Sequence, residues 1–239
     1  MGPRILVLLL FDVDGTLLSG ATAVHLAALR KALADVHSID AAKAVPGSLA
    51  RAGRTDPEIA RIILLDAGIS AERIDDRADA VREQCSQAYA RLCPRDLSSL
   101  VLPGVGELLA WLSARQDTIL GLLTGNYEAI ARMKLARAGL GSYFPGGQGA
   151  FGSDAADRAA LPAIARRRAG SVGHPHPREQ TIVVGDTPRD ISCARADGVR
   201  CVAVATGPYG SQELSAADAV AGDARELQPV LANELERSA

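Results

Sequence analysis

Two aspartates spaced two apart, Asp12 and Asp14, close the apolar run Ile5–Phe11, and Gly15 and Thr16 follow at once. Seven apolar residues in a row have the length of a buried strand. Carboxylates at i and i+2 of a strand end fall on one side, roughly 6–7 Å apart. Charge in such a place is costly without a partner. A hard cation fits best, because Mg²⁺ takes oxygen ligands and completes its shell with water and substrate phosphate. A calcium loop of the EF-hand kind is excluded: its twelfth position needs glutamate, and residue 23 is alanine.

Other strand-like runs end in comparable residues. "DTILGLLTGN" ends in Thr124, Gly125 and Asn126, and "QTIVVGD" ends in Asp186. Gly125 and Asn126 supply a turn and a helix start. The Thr124 hydroxyl, with nearby backbone N–H groups, is suited to an anion. Thr187-Pro188-Arg189-Asp190 reads as a capping box with proline at the first helical position, which gives Asp190 a structural task. Asp186 lies outside that box and is the stronger candidate for metal. Lys134 stands out by scarcity, as one of three lysines among 26 basic residues. It sits about two turns into the helix after Thr124, and helical side chains lean toward the N-terminus. Its compact ammonium is therefore within reach of an anion near Thr124. In "ARAGRTD" (Ala50–Asp56), Thr55 and Glu58 form a second capping box, and Arg51 and Arg54 offer charge to a substrate. His25, His37, His174 and His176 show no triad or zinc spacing, and "ARRRAG" reads as a solvated helix face.

Positioning these residues requires a parallel sheet. Strand-like runs at Ile5–Phe11, Asp117–Gly125, Gln180–Asp186 and Arg200–Gly207 alternate with helical patterns, and their continuous apolarity suits burial on both faces. Ligands in such sheets bind beyond the carboxyl ends of the strands. One gap interrupts the alternation. The segment from about Gly20 to Leu97 is nearly all helix-forming, with apolar spacing near 3.6 and turns at "AVPGS" and "AGIS". It is expected to be a helical domain, 20–97, inserted into a core of 1–19 and 98–239. "GGQGAFG" is expected to be turn material, and Ser215–Ala239 a peripheral tail.

Composition narrows the partners. The net charge is −2 and aromatics are 3% of 239 residues, which speaks against nucleic acid as a partner. No run reaches the roughly 18 apolar residues of a membrane helix. Four cysteines without C-x-x-C spacing fit reduced thiols and a cytoplasmic location.

Taken together, "FDVDGTL", "LLTGN", Lys134 and "VVGDTPRD" resemble the haloacid dehalogenase superfamily, and within it the phosphatases, over nearly the whole chain. The resemblance implies a three-layer α/β fold with a Rossmann-like parallel sheet and a helical cap. It implies a Mg²⁺-dependent phosphatase similar to phosphoglycolate phosphatases, acting on a small phosphorylated metabolite. By the same resemblance Asp12 is the nucleophile and Asp14 the acid/base. Thr124, Gly125, Asn126 and Lys134 hold the phosphoryl group. Asp12, the backbone carbonyl of Asp14, and Asp186 hold Mg²⁺, with Asp190 in support. Many relatives carry the phosphate-binding lysine in a Lys-Pro loop; here that region reads "FGSDAADR" and has no lysine. A phosphomutase of the β-phosphoglucomutase type would use the same core residues, whereas a dehalogenase has no need of Asp14. Arg54 is expected to favour a carboxylate-bearing ester over a neutral one.

Overall fold

The computed structural model describes residues 6–40 and 52–238. Lys43, the "AVPGS" turn, Ala50 and Arg51 lie outside the described residues.

Six parallel strands form one sheet in the order β3-β2-β1-β4-β5-β6. They are β1 (Val7–Phe11), β2 (Thr118–Thr124), β3 (Ala150–Phe151), β4 (Thr181–Gly185), β5 (Arg200–Val204) and β6 (Ala219–Ala221). Because side chains alternate, β1 feeds two cores. Val7, Leu9 and Phe11 join one, and Leu8 and Leu10 the other. Helices α5 (Val105–Ser113), α6 (Glu128–Arg137) and α9 (Ala224–Ser238) cover the first face, and α7 (Leu161–Ala169) and α8 (Pro188–Asp197) cover the second. The result is the expected three-layer α/β fold with a helical insertion.

The insertion contains α1 (Thr22–His37), α2 (Asp56–Asp66), α3 (Ala71–Asp76) and α4 (Ala78–Leu92) between β1 and β2. Its helices are built on apolar spacing of three and four: Leu29 and Leu33 of α1 are buried in one cluster with Val81, Cys85 and Tyr89 of α4. Thr55 caps α2, accepting a hydrogen bond from the Glu58 N–H at 3.2 Å; this is the threonine half of the expected capping box, while the Glu58 carboxylate pairs with Arg54.

Two expectations fail at the sheet edges. Ala150 and Phe151 of "GGQGAFG" pair with Leu123 and Thr124 as the edge strand β3. A two-residue strand is too short to show periodicity. Ser215–Ala239 is also no peripheral tail. It supplies β6, which pairs with β5, and α9, whose Leu227, Leu231 and Leu235 recur every four residues and are buried. The charges between those leucines concealed the stripe. The run of three arginines is only partly solvated: Arg166 is buried and holds Asp197 at 2.6 Å.

Candidate active site

The chain runs outward from β1 through β2 to β3, then returns to place β4 on the other side of β1. The connections on either side of β1 and β4 therefore leave in opposite directions, and a crevice opens beyond the strand tips. Asp12 follows β1 and Asp186 follows β4, so the crevice is lined by the two acids that end those strands. The Asp12 N–H donates to the Val184 carbonyl at 2.9 Å, which extends the ladder to the acid itself.

Asp12, Asp186 and Asp190 are all buried, and each offers a carboxylate oxygen within 4.8 Å of the others. Such a cluster stands only if something offsets its repulsion. Burial pushes Asp12 up to about 6, Arg158 opposes that rise, and Asp190 and Asp14 add to it. Burial and then the charges of Asp12 and Asp190 push Asp186 up to about 8. Gly15, at φ 88°, and Gly207 flank Asp186 so closely that a Cβ on either would overlap its carboxylate. The glycine after Asp14 thus makes room for the acid of a different strand. Three oxygens converging in a dry pocket are the donor set of a hard divalent cation, and the residues fit one. Asp190 also serves the capping box. Its Oδ2 accepts from the Thr187 N–H at 3.0 Å and the Thr187 hydroxyl at 2.7 Å.

The strongest cation among these acids is one the sequence did not single out. Arg158 is buried, and its Nη2 lies 2.5 Å from Asp190 Oδ1 and 3.4 Å from Asp12 Oδ1. Burial works against its charge, but Asp190 and Asp12 hold the guanidinium protonated. Arg158 is the last residue of "FGSDAADR". That region lacks a lysine but brings an arginine to the acids, one that nothing local separates from the other arginines of the chain.

Lys134 is buried rather than a surface lysine, and its ammonium faces the core–insertion junction. It donates to both Asp14 oxygens at 2.6 and 2.8 Å and to Asn126 Oδ1 at 2.7 Å. Burial alone would raise Asp14, but Lys134 and His25 outweigh it and hold the carboxyl below its usual range. The Thr124 hydroxyl accepts from Asn126 Nδ2 at 2.7 Å. Thr124, Gly125 and Asn126 all line the crevice.

The insertion contributes two residues that no local motif marks, His25 and Asp56. His25 Nδ1 lies 3.3 Å from Lys134 Nζ, and its Nε2 lies 3.0 Å from Asp56 Oδ2. Asp56 ties the insertion to the core: its N–H donates to the Gly125 carbonyl at 2.8 Å, and its Oδ2 accepts from the Tyr127 N–H at 2.7 Å. A Cβ on Gly125 would overlap the Arg54 carbonyl, so the two backbones meet where glycine permits it. Arg54 lines the cavity, but its guanidinium is ion-paired with Glu58.

The raised acids predict a pH dependence. A carboxyl whose folded value exceeds its ordinary 3.8 keeps its proton longer in the native state, so stability falls as pH rises from about 4 toward 8. A cation on the three acids reverses the effect by favouring their ionised forms. Metal-free protein should therefore melt lower at pH 8 than at pH 5, and Mg²⁺ should raise the midpoint more at pH 8. The difference should reach at least about 3 °C, the size of about 1 kcal/mol in a chain of this length. Calorimetry at both pH values, with and without Mg²⁺, checks this; an identical Mg²⁺ effect at each would count against it.

A parallel sheet with acids at its switch point and a set of helices inserted after its first strand is an arrangement that comparison with known proteins assigns to a class of hydrolytic enzyme. Residues 9–195 match the haloacid dehalogenase-like hydrolases, and the chain belongs to that family. It is 33% identical over 218 residues to a phosphoglycolate phosphatase from Rhodospirillum rubrum, spanning 89% of this chain and 84% of the relative. A phosphoglycolate phosphatase from Pseudomonas syringae pv. syringae is 30% identical over 209 residues, 84% of this chain and 70% of the relative. The fold is also that of a β-phosphoglucomutase from Clostridium difficile, with TM-score 0.68 and 17% identity over 98% of each chain. Among the described residues no helix is long and apolar enough to cross a membrane.

Proposed function

We propose that the chain is a Mg²⁺-dependent phosphatase that hydrolyses a small phosphomonoester through a phosphoryl group carried on Asp12. The observation that supports it most is the arrangement at the β1 tip: a buried carboxylate with Arg158 3.4 Å away and two further acids within 4.8 Å. The relatives' names support phosphate-ester chemistry.

Asp12 Oδ attacks phosphorus, an aspartyl O–P bond forms, and the ester O–P bond breaks. Splitting hydrolysis this way replaces one hard step with two easier ones. Asp14 takes up the proton of the entering phosphomonoester monoanion, gives it to the departing alkoxide, then takes a proton from the water that attacks phosphorus. That second attack releases phosphate and returns Asp12 to a carboxylate. Lys134 orients Asp14 and, by holding it ionised, favours the base half of the cycle. Arg158 and the Thr124–Asn126 turn stabilise charge on the phosphoryl oxygens. Asp12, Asp186, Asp190 and the Asp14 carbonyl would hold Mg²⁺, which when bound neutralises phosphoryl charge as a Lewis acid. Residues 20–97 act as a cap over a core of 1–19 and 98–239, keeping water from the reacting groups. Four buried free thiols support a reducing, cytoplasmic setting.

The test is phosphate release from a panel of esters, including p-nitrophenyl phosphate and phosphoglycolate, with Mg²⁺ and with chelator. Turnover that requires Mg²⁺ is expected. Equal rates in chelator would remove the metal, and no release from any ester would remove the phosphatase reading.

A further inference from the structure

A buried ammonium needs an acceptor for each of its three hydrogens. Lys134, whose side chain is wholly out of solvent, has them. Its Nζ reaches the Asp14 carboxylate at 2.6 and 2.8 Å, Asn126 Oδ1 at 2.7 Å and His25 Nδ1 at 3.3 Å. The first two belong to the core. The third comes from α1 of the insertion, and a ring nitrogen accepts only when it carries no hydrogen itself.

Asp56 decides which nitrogen that is. Its Oδ2 lies 3.0 Å from His25 Nε2, on the far side of the ring from Lys134. A carboxylate brings no hydrogen, so Nε2 carries the one on the ring and Nδ1 turns a lone pair toward the ammonium. An edge contact with Tyr89, ring centroids 5.6 Å apart, sets the plane of the imidazole. The same Asp56 oxygen accepts from the Tyr127 N–H at 2.7 Å, just before α6, and Lys134 follows on that helix. Asp56 thus holds both the start of the lysine's helix and the partner of its head group. Docking of the insertion does not require this carboxylate. The Asp56 N–H already joins the Gly125 carbonyl, and the Thr55 hydroxyl donates to the Ala156 carbonyl at 2.6 Å.

We propose that Asp56 is a positioning residue for the acid/base Asp14, acting through His25 and Lys134. This rests on the phosphatase reading, in which Asp14 protonates the departing alkoxide. Without the carboxylate, the imidazole is free to present Nδ1–H to the ammonium. Lys134 then loses its third acceptor, and the aim of Asp14 is no longer fixed. The loss falls on the step that needs a proton. An alkoxide departs only with one, whereas p-nitrophenolate is a stable anion that departs without it.

The experiment compares kcat/KM of the full chain with Mg²⁺ on p-nitrophenyl phosphate and on an alkyl ester, ethyl phosphate or phosphoglycolate, whichever the wild type turns over faster. kcat/KM reads the steps up to loss of the alcohol, so a slow water step does not blur the comparison. Asp56→Ala should lower the alkyl value about 10- to 100-fold and the p-nitrophenyl value by less than about threefold. His25→Phe should show the same split, and adding Asp56→Ala to it should cost little more. His25→Asn, whose Oδ1 can stand where Nδ1 stood, should recover a large part. Equal losses on both esters in Asp56→Ala would make Asp56 a docking residue and overturn the proposal, as would full additivity of the two substitutions. Should Asp56→Ala not fold, the wild type gives the answer. Nitrogen-15 NMR at pH 8 should show His25 as the neutral Nε2–H tautomer, and an Nδ1–H or doubly protonated ring overturns the proposal. Those outcomes leave the phosphatase standing. No turnover of any ester by the wild type overturns the phosphatase reading, and this proposal with it.

Discussion

Asp12→Asn should lower turnover by at least about 10⁴-fold, the order expected when a covalent nucleophile is removed from an otherwise intact site. The substitution keeps size and shape while removing the charge, and the amide is a far weaker nucleophile than a carboxylate. It should not unfold the protein. Asp12 carries an unfavourable burial in the native state, and a neutral amide in its place would relieve repulsion with Asp190 and Asp186. The melting midpoint of metal-free Asp12→Asn at pH 8 should therefore equal or exceed that of the wild type. A variant that is both inactive and much less stable would indicate that Asp12 is chiefly structural. Retention of a large share of wild-type turnover would contradict the covalent route.

The second large effect is expected at Arg158, in stability and activity together. Its guanidinium bridges Asp12 and Asp190 in a buried setting and also donates to the Gly53 carbonyl of the insertion at 3.2 Å. Arg158→Met removes the only cation within reach of those two acids among the described residues. Breaking a buried ion pair by deleting one partner costs about 3–5 kcal/mol. Activity should fall by about 10²- to 10³-fold, as when one donor to developing charge is lost. Arg158→Lys should recover a large part of both, because an ammonium at this position restores the charge though not the two-acid bridge. Denaturant unfolding and kinetics on the three proteins check this. Equal behaviour of Met and Lys variants would mean that packing, rather than charge, is what Arg158 supplies.

How far the sequence reveals this site depends on how local each signal is. Asp12, Asp14 and Asp186 were legible because an apolar run ending in an acid needs only one strand to be read. Asp190 was legible twice over, through a capping box that occupies four consecutive residues and is present in the structure. Lys134 was visible because lysine is rare in this chain. Arg158 was not, since nothing local separates it from the other arginines. Its burial depends on the two-residue edge strand β3 and the short helical turn Arg158–Ala160, which bring it under Asp190 from 32 residues away. His25 and Asp56 were obscured for a related reason. Each sits on an insertion helix facing the core, and the meeting of His25 with Lys134 spans 109 residues. Periodicity located the helices of the insertion, but it carries no information about which face turns toward a separate layer. The same limit hid α9, where leucines four apart lie among charged residues.

The measurement that tests the central claim most directly is rapid acid quench during turnover, followed by peptide mass spectrometry. Acyl phosphates survive brief acid, so a phosphoryl group held on a carboxylate remains attached to its peptide. The account predicts transient phosphoryl mass on the peptide containing Asp12, dependent on Mg²⁺ and absent from Asp12→Asn. Full turnover with no phosphorylated peptide at any time, or with the label on a peptide lacking Asp12, would contradict it.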